Sequence, residues 1–509
     1  MNMKLFYFLT YKKDFCMILP ALQYIFRPIF GEFEKEEFKK FLRMGIIFAL
    51  VLGAYWTLRV LKDSVFINLV NKHDIPWAKT LSLIVLFPLV MFYTKLMDRY
   101  SREKMFYILS SFYAAGALLF GALLCKFQAD AAIVNSYVGA EYYFTKALGF
   151  IIYVFVESYG SLVVALFWAF ASDTTESNSA KKGFYLVTAI GQLGGIIGPM
   201  FITPMAQALK KIEVVEGVPS LLQPIAPYLT AFAQAVPEYL KATSALSFFV
   251  CALIIGLVGI SIKNFLKVTP RHLLASFHGK NEAAAEKEQE PGFLEGLKLL
   301  LSHRYLMGIF VAIASYEIIV TIFDFNFKVL AGTHYVGRDL DAYLGQYGSY
   351  VNIVSLICLL LGVSNITRLL GVGVALVMMP IIVACAITGF ITFDSLSFLF
   401  WLMVGSKAIN YALNGPAQKQ LYIPTTHDVR FKSQAWIEVF GSRGSKEIGS
   451  IFNMTLKPFQ STFGSFVGKS YYMLMASVLG YGLVGIWFFV AIYLGKTHKK
   501  AIDEKRVVC

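Results

Sequence analysis

The sequence predicts an all-α polytopic membrane protein with about twelve transmembrane helices in two six-helix pseudo-repeats. Three observations support this fold class. The 509 residues are 57% hydrophobic and only 15% charged, whereas a soluble domain carries about 25% charged residues. The mean hydropathy is +0.61. Apolar runs long enough to cross ~30 Å of hydrocarbon recur along the chain.

Twelve such runs are predicted to span the membrane, six on each side of a charged segment. They cover residues 44–60, 77–97, 105–125, 147–171, 185–206, 244–262, 306–329, 345–363, 371–393, 396–413, 435–456 and 472–494. The eleventh is the least apolar, because Arg443, Lys446 and Glu447 lie inside it. Paired features of the two halves, such as the Phe-Trp pairs at 167–168 and 400–401, predict a duplicated unit. Carriers with internal repeats bind their substrate between the repeats.

The predicted organisation has five parts. They are a cytoplasmic or interfacial segment (1–43), a first bundle (44–262), a cytoplasmic linker (263–304), a second bundle (305–494) and a cytoplasmic tail (495–509). Lysine and arginine concentrate in the 2–3 connection, the linker and the tail. The positive-inside rule therefore predicts that both termini are cytoplasmic. The first 30 residues lack the pattern of a cleaved signal peptide.

Composition and motifs argue against several function classes. The net charge of +14 suits the cytoplasmic loops of a membrane protein better than nucleic-acid binding. The six cysteines form no C-x-x-C pair and the lone histidines have no metal-ligand spacing, so no metal site is predicted. The segment GSRGSKE at 441–447 lacks the spacing of a phosphate-binding loop. We predict no catalytic residues, no cofactor and no enzymatic activity.

Charged residues inside the predicted spans are the main functional signal. The candidates are Arg59, Glu157, Glu317, Asp324, Lys328, Lys407, Glu438, Arg443, Lys446 and Glu447, together with Lys62 and Asp63 at the end of the first span. Each would cost at least ~2.5–3.5 kcal/mol at the bilayer centre, so they must face a hydrated cavity or one another. Those at the end of the first span have an alternative, because long side chains there can reach the interface.

Arg443 and Lys446 lie three residues apart and share one face of a helix. A guanidinium group binds phosphate through two parallel hydrogen bonds, and an ammonium group adds a point charge. This doubly basic face is predicted to bind a multivalent anion.

Several segments resemble one family. The first span ends TLRVLKD (57–63), the fourth reads ESYGSLVVALFWAFAS (157–172), and AKKGFY follows at 180–185. DFNFK (324–328) lies in the seventh span, and YIPTTHDVRFKSQAWIEVFGSRGSKEIG (422–449) enters the eleventh. On these motifs the chain resembles the ATP:ADP translocase family of nucleotide transporters from obligate intracellular bacteria and plastids, over residues 38–494. The resemblance implies a major-facilitator-like carrier in the inner membrane of a bacterium, with a nucleotide as substrate.

The resemblance also implies roles for particular residues. The family's functional charges fall on Lys62, Glu157, Asp324 and Lys446. We predict that Lys62 and Lys446, one from each half, clamp the substrate phosphates, with Arg59 and Arg443 nearby.

Two further roles are predicted from the same spans. Tyr55 and Phe170 are the candidate rings for stacking on the nucleotide base. Glu157 is distant along the chain from basic residues, which favours a proton-coupling role. Asp324 precedes Lys328 by four residues, which favours an ion pair on one helical face.

Three functions remain open from the sequence: a nucleotide carrier, a proton-coupled carrier for another organic anion, and a membrane protein without transport activity. The 2–3 connection DRYSREK (98–104) resembles the loop signature of the wider major-facilitator group. NYALNG (410–415) departs from the family pattern by losing a lysine and an aspartate. The sequence does not distinguish exchange from symport, does not identify the nucleotide, and is compatible with a monomer.

Overall fold

A computed structural model of the chain describes residues 33–127, 131–175, 177–209, 227, 243–274, 293–360, 370–393, 395–422, 424–425, 436–504 and 506–508. Within these ranges all regular structure is helical. Most of the predicted interfacial segment and linker, residues 1–32 and 275–292, lies outside the described residues.

Twelve helices in the described ranges coincide with the predicted spans. The first six are α1 (Lys35–Leu69), α2 (Ile75–Arg99), α3 (Arg102–Lys126), α4 (Ala140–Asp173), α5 (Ser177–Met200, continued by Ile202–Leu209) and α6 (Thr243–Val268). The last six are α7 (Arg304–His334), α8 (Gly337–Leu360), α9 (Val372–Thr392), α10 (Leu396–Ile409), α11 (Ser442–Met454) and α12 (Ser465–Asp503).

Ten of these helices are long and apolar enough to cross a membrane, α10 when it is counted through to Gln420; α8 and α11 are the two that fall short. Helix α8 falls short through its polar content, which includes the buried Asp341, Ser349 and Asn352. Helix α11 has only 13 residues and carries Arg443 and Lys446 near its start. A total of twelve spans therefore stays a prediction, since a helix that turns polar groups inward need not be apolar overall.

Two π-helical turns lie between α10 and α11. Asn410–Asn414 follows α10, and Trp436–Gly441 leads into α11. Such turns widen one turn of a helix and are frequent at functional sites. Here the first turn places Asn410 and Tyr411 on the wall of the central cavity.

Helices α1 and α7 each pack against several other helices. Helix α1 packs against α4, α5 and α6, while α7 packs against α11 and α12. The first six helices meet the last six mainly through the pairs α5–α8, α1–α8 and α2–α11. Side chains of α1, α2, α8 and α11 therefore lie at the interface between the two sets.

Small residues allow α1 and α5 to approach closely. A Cβ atom at Gly53 would lie 3.3 Å from the carbonyl oxygen of Gly194, and one at Gly194 would collide with the carbonyl oxygen of Ala49. Gly198 has the same relation to the carbonyl oxygen of Gly53. Glycine is required here because the neighbouring atoms belong to the backbone, which cannot move aside as a side chain can.

We predict that Gly194→Val lowers the melting temperature of the purified chain, because overpacking costs about 1–3 kcal/mol. Gly256→Val is the matched control, since a Cβ atom at Gly256 of α6 meets nothing within 4 Å. Equal melting temperatures for the two variants would contradict this account of the α1–α5 contact.

Candidate functional site

A cavity of about 420 Å³ lies between the first six and the last six helices. Residues of α1, α2, α4, α7, α8, α10 and α11 line it. Its basic lining residues are Arg59, Lys62, Lys79, Lys328, Lys407, Arg443 and Lys446, and its acidic ones are Asp63, Glu157, Glu317, Asp324 and Glu447. Counted over the residues that the structure describes, the lining thus carries an excess of two positive formal charges.

Six of these side chains form a continuous series of ion pairs, which we call the ion-pair ladder. Three acidic and three basic residues alternate along it: Glu157, Lys62, Asp63, Lys328, Asp324 and Lys407. The ladder runs from α4 through α1 and α7 to α10. Because its charges cancel, it adds nothing to the net charge of the cavity.

On the side of the first six helices, Lys62 is held by two carboxylates. Its Nζ lies 3.0 Å from Asp63 Oδ1 and 3.0 Å from Glu157 Oε1. The same ammonium group lies 4.0 Å from the ring centroid of Tyr153. The Lys62 side chain is only 5% exposed. It lines the cavity as predicted, but in this conformation its charge is already neutralised.

On the side of the last six helices, Lys328 connects the two sets. Its Nζ lies 2.7 Å from Asp63 Oδ2 on α1 and 2.6 Å from Asp324 Oδ2 on its own helix. The second contact is the ion pair that the four-residue spacing predicts. Lys407 of α10 completes the ladder at 2.5 Å from Asp324 Oδ1.

Glu157 is isolated from basic residues only along the chain. In space Lys62 lies beside it, and its side chain is 38% exposed, far more than the buried members of the ladder. Glu157 is therefore the end of the ladder that is most open to the cavity.

Three cations of the lining are different. Within the part of the chain that the structure describes, Arg59, Lys79 and Arg443 have no carboxylate at ion-pair distance. Arg59 donates to the Tyr55 hydroxyl at 2.9 Å and lies 4.9 Å from the ring centroid of Trp56. Arg443 Nη2 donates to Ser161 Oγ of α4 at 2.6 Å.

The two remaining acidic residues belong to the wall formed by α7 and α11. Glu317 Oε1 lies 3.4 Å from Lys446 Nζ and accepts a hydrogen bond from Ser442. Glu447 accepts a hydrogen bond from Thr80 of α2. The Lys446 side chain is 51% exposed and lines the cavity, so its pairing with Glu317 is weak.

The two predicted base-stacking residues lie in different places. Tyr55 lines the cavity, together with Trp56, Tyr316 and Tyr411. Phe170 does not. It is fully buried between Phe106 and Phe265, with ring centroids at 5.6 and 5.7 Å. A ring whose faces are covered by its own bundle leaves no room for a base, so we correct the assignment of Phe170 to a packing residue.

The sequence reading missed Lys79 as a site residue and gave no role to Asp63 or Lys407. Lys79 lies near the start of α2, where a lysine usually reaches the membrane surface. Asp63 and Lys407 were recognised as charges inside spans, but their partners come from other helices. The spacing of residues within one span cannot predict pairs between two helices.

Comparison with known proteins identifies the family of the chain. The sequence pattern that describes the TLC ATP/ADP transporter family matches residues 21–402, which is most of the chain. The chain belongs to the TLC ATP/ADP transporter family. The resemblance inferred from the motifs is thereby confirmed.

Relatives in the TLC family match over nearly their whole length. ADP,ATP carrier protein 1 of Rickettsia typhi is 25% identical over 514 residues, with 94% of this chain and 97% of the relative covered. The corresponding protein of Rickettsia prowazekii is also 25% identical with the same coverage. ADP,ATP carrier protein 3 of Rickettsia typhi is 24% identical, with 93% and 97% covered.

Solved structures show which fold this TLC family member adopts. A bacterial homologue of the human lysosomal transporter Spinster, inward-facing and unoccupied, superimposes with a TM-score of 0.56 at 12% identity, covering 92% of this chain and 99% of that one. The D-xylose–proton symporter gives 0.52 at 13% identity, with 90% and 97% covered. These likenesses show the fold alone, and they confirm the predicted major-facilitator-like class.

We predict that Asp63→Asn lowers the free energy of unfolding by about 3–5 kcal/mol, because it leaves Lys62 and Lys328 with an uncompensated buried charge. Asp74→Asn is the matched control. Asp74 also pairs with a lysine, but that partner, Lys457 of the short helix Leu456–Phe463, is 50% exposed. Loss of this pair should cost at most about 1 kcal/mol.

Thermal unfolding of the two variants in one detergent checks this prediction. An Asp63→Asn variant as stable as Asp74→Asn would show that the ladder is not a buried structural element.

Proposed function

We propose that this chain carries nucleotides across the membrane by alternating access, with the phosphate groups bound in the central cavity. The observation that carries the proposal is the sorting of charge there. The ladder neutralises itself, and the cations outside it outnumber the remaining carboxylates by two. Aromatic rings of α1 and α7 lie in the same wall and offer faces for a base. The family match favours a nucleotide over another organic anion.

The phosphate site follows from which cations are available. Arg59, Arg443 and Lys446 face the cavity without a close, buried carboxylate partner, and we propose them as phosphate ligands. Lys62 differs, because an anion would first have to displace Asp63 or Glu157. We propose that Lys62 acts through the ladder in this conformation rather than as one jaw of a clamp.

Contacts at one end of the cavity indicate which end is closed. Beyond the ladder, Asn68 Oδ1 accepts from the Gly337 amide at 2.9 Å, Lys72 donates to Thr333 at 2.8 Å, and Ser450 donates to the carbonyl of Pro76 at 3.1 Å. All three join the first six helices to the last six where α1 ends. With cytoplasmic termini, that end faces outwards, so we propose an inward-facing state.

Opening the outer end requires the Asp63–Lys328 pair to separate. Lys328 and Lys407 would then share Asp324 alone, which leaves one positive charge on the last six helices. A substrate phosphate can take the place of Asp63 beside them. This links the movement of the two sets to the presence of an anion.

The remaining assignments are part of the same proposal. The two sets correspond to the bundles at 44–262 and 305–494, in the inner membrane of a bacterium, with residues 263–304 and 495–509 cytoplasmic. The chain acts as a carrier and not as an enzyme, and as a monomer, since one chain encloses the cavity.

Reconstituted vesicles test the function. We expect labelled ATP or ADP to enter vesicles that contain the chain, and Arg443→Gln to lower the apparent affinity about tenfold or more, because a charged hydrogen-bond donor is lost. Arg271→Gln, at an exposed position, is the control. No flux of ATP, ADP, GTP or NAD, with or without internal nucleotide, would contradict the proposal.

Glu157→Gln separates exchange from proton symport. If Glu157 serves only as the outer member of the ladder, the variant retains any accumulation driven by a proton gradient. If it carries a proton, the variant loses that accumulation and keeps exchange against internal nucleotide. We expect the second result, because Glu157 is the carboxylate of the ladder with most access to water. Full gradient-driven accumulation by the variant would remove Glu157 as the coupling residue.

A further inference from the structure

Lys79 of α2 is a cavity residue whose charge the structure leaves unused. Its side chain is half-buried and lines the cavity one turn after the start of the helix. Among the residues that the structure describes, no acceptor lies within hydrogen-bond or ion-pair distance of its Nζ. An ammonium group has three donors and no acceptor, so all of this hydrogen-bonding capacity is open to the cavity.

The other six cations of the lining are satisfied to different degrees. Lys62, Lys328 and Lys407 belong to the ladder, and Lys446 lies near Glu317. Arg59 and Arg443 each donate to one hydroxyl group. A ligand anion that binds Lys79 therefore displaces no protein partner, whereas one that binds Lys62 displaces a carboxylate.

The surroundings of Lys79 fix its position. Thr80, the next residue, hydrogen-bonds to Glu447 of α11, and Ser450 of α11 donates to the carbonyl of Pro76 at 3.1 Å. These two contacts anchor the first turn of α2 to α11. Because the helix backbone is fixed on both sides of it, Lys79 is presented at a defined place in the wall of the cavity.

An unpaired cation in a half-buried place is costly unless water or an anion supplies acceptors. Asp63 and Asp324 act on Lys79 at longer range, but Lys328 and Lys62 act in the opposite sense. None of these groups lies at ion-pair distance from the Lys79 Nζ, so none neutralises it by direct contact. A bound anion would supply the negative charge and the hydrogen-bond acceptors for Lys79.

We propose that Lys79 binds a phosphate group of the transported nucleotide and, with Arg59 and Arg443, forms the phosphate subsite of the cavity. This assignment rests on the proposed nucleotide transport. It adds a lysine on α2 to the phosphate ligands Arg59, Arg443 and Lys446 proposed above. It also places a substrate contact on the first turn of α2, which is tied to α11.

Nucleotide binding to the purified chain, measured by calorimetry with ADP and with adenosine, tests the assignment. Lys79→Gln should weaken ADP binding about tenfold or more and reduce its dependence on salt. It should leave adenosine binding unchanged, since adenosine has no phosphate. Lys79→Arg should retain most of the affinity for ADP. A residue that only supported the fold would alter the affinities for both ligands alike.

Lys95→Gln is the matched control, because Lys95 lies on the same helix at an exposed position. It removes the same charge and should not change ADP binding. If Lys79→Gln binds ADP within twofold of the unaltered chain, the assignment of Lys79 is overturned and the proposed function stands. If the unaltered chain neither binds ADP nor moves any nucleotide, the proposed function is overturned, and this inference with it.

Discussion

The ion pair between Asp63 and Lys328 is the interaction on which the rest of the arrangement depends. Its atoms lie 2.7 Å apart, the two side chains are 6% and 9% exposed, and it joins α1 to α7 across the cavity. A single charge at this depth would cost several kcal/mol. Neither partner is left single, because Lys62 and Asp324 supply each with a second contact of opposite charge. The opposite charges of Asp63 and Lys328 therefore hold α1 against α7 at this point.

This pairing determines which charges remain for a ligand. The six members of the ladder cancel, so a cavity with many lysines and carboxylates presents only the few charges outside the ladder. The groups that an anion meets first are then Arg59 and Arg443, held by single hydrogen bonds to Tyr55 and Ser161, and Lys79, which has no partner in the described part of the chain. Counting basic residues alone would overstate the positive charge of the cavity, and would place the phosphates on lysines that are already occupied.

Much of the fold and part of the site followed from the sequence. Apolar runs located the helices. Arg59, Lys62, Glu157, Asp324, Lys328, Arg443 and Lys446, selected because burying their charges is costly, all line one cavity, while their roles stay predictions. The pair Asp324–Lys328 could be predicted from the sequence because both residues lie on one helix. The pairs Lys62–Glu157, Asp63–Lys328 and Asp324–Lys407 were not, because each joins two helices and depends on how the helices pack. Phe170 failed for the same reason: aromatic composition does not tell a packed ring from a ring in a cavity.

The central claim is that the cavity binds the nucleotide through the cations outside the ladder, while the ladder stays paired in the inward-facing state. An experimental structure of the chain with ADP bound tests this claim most directly. We expect phosphate oxygens within hydrogen-bond distance of Arg59 or Arg443, with Lys62 still in contact with Asp63 or Glu157. ADP bound outside this cavity, or Asp63 and Lys328 turned towards lipid, would contradict it.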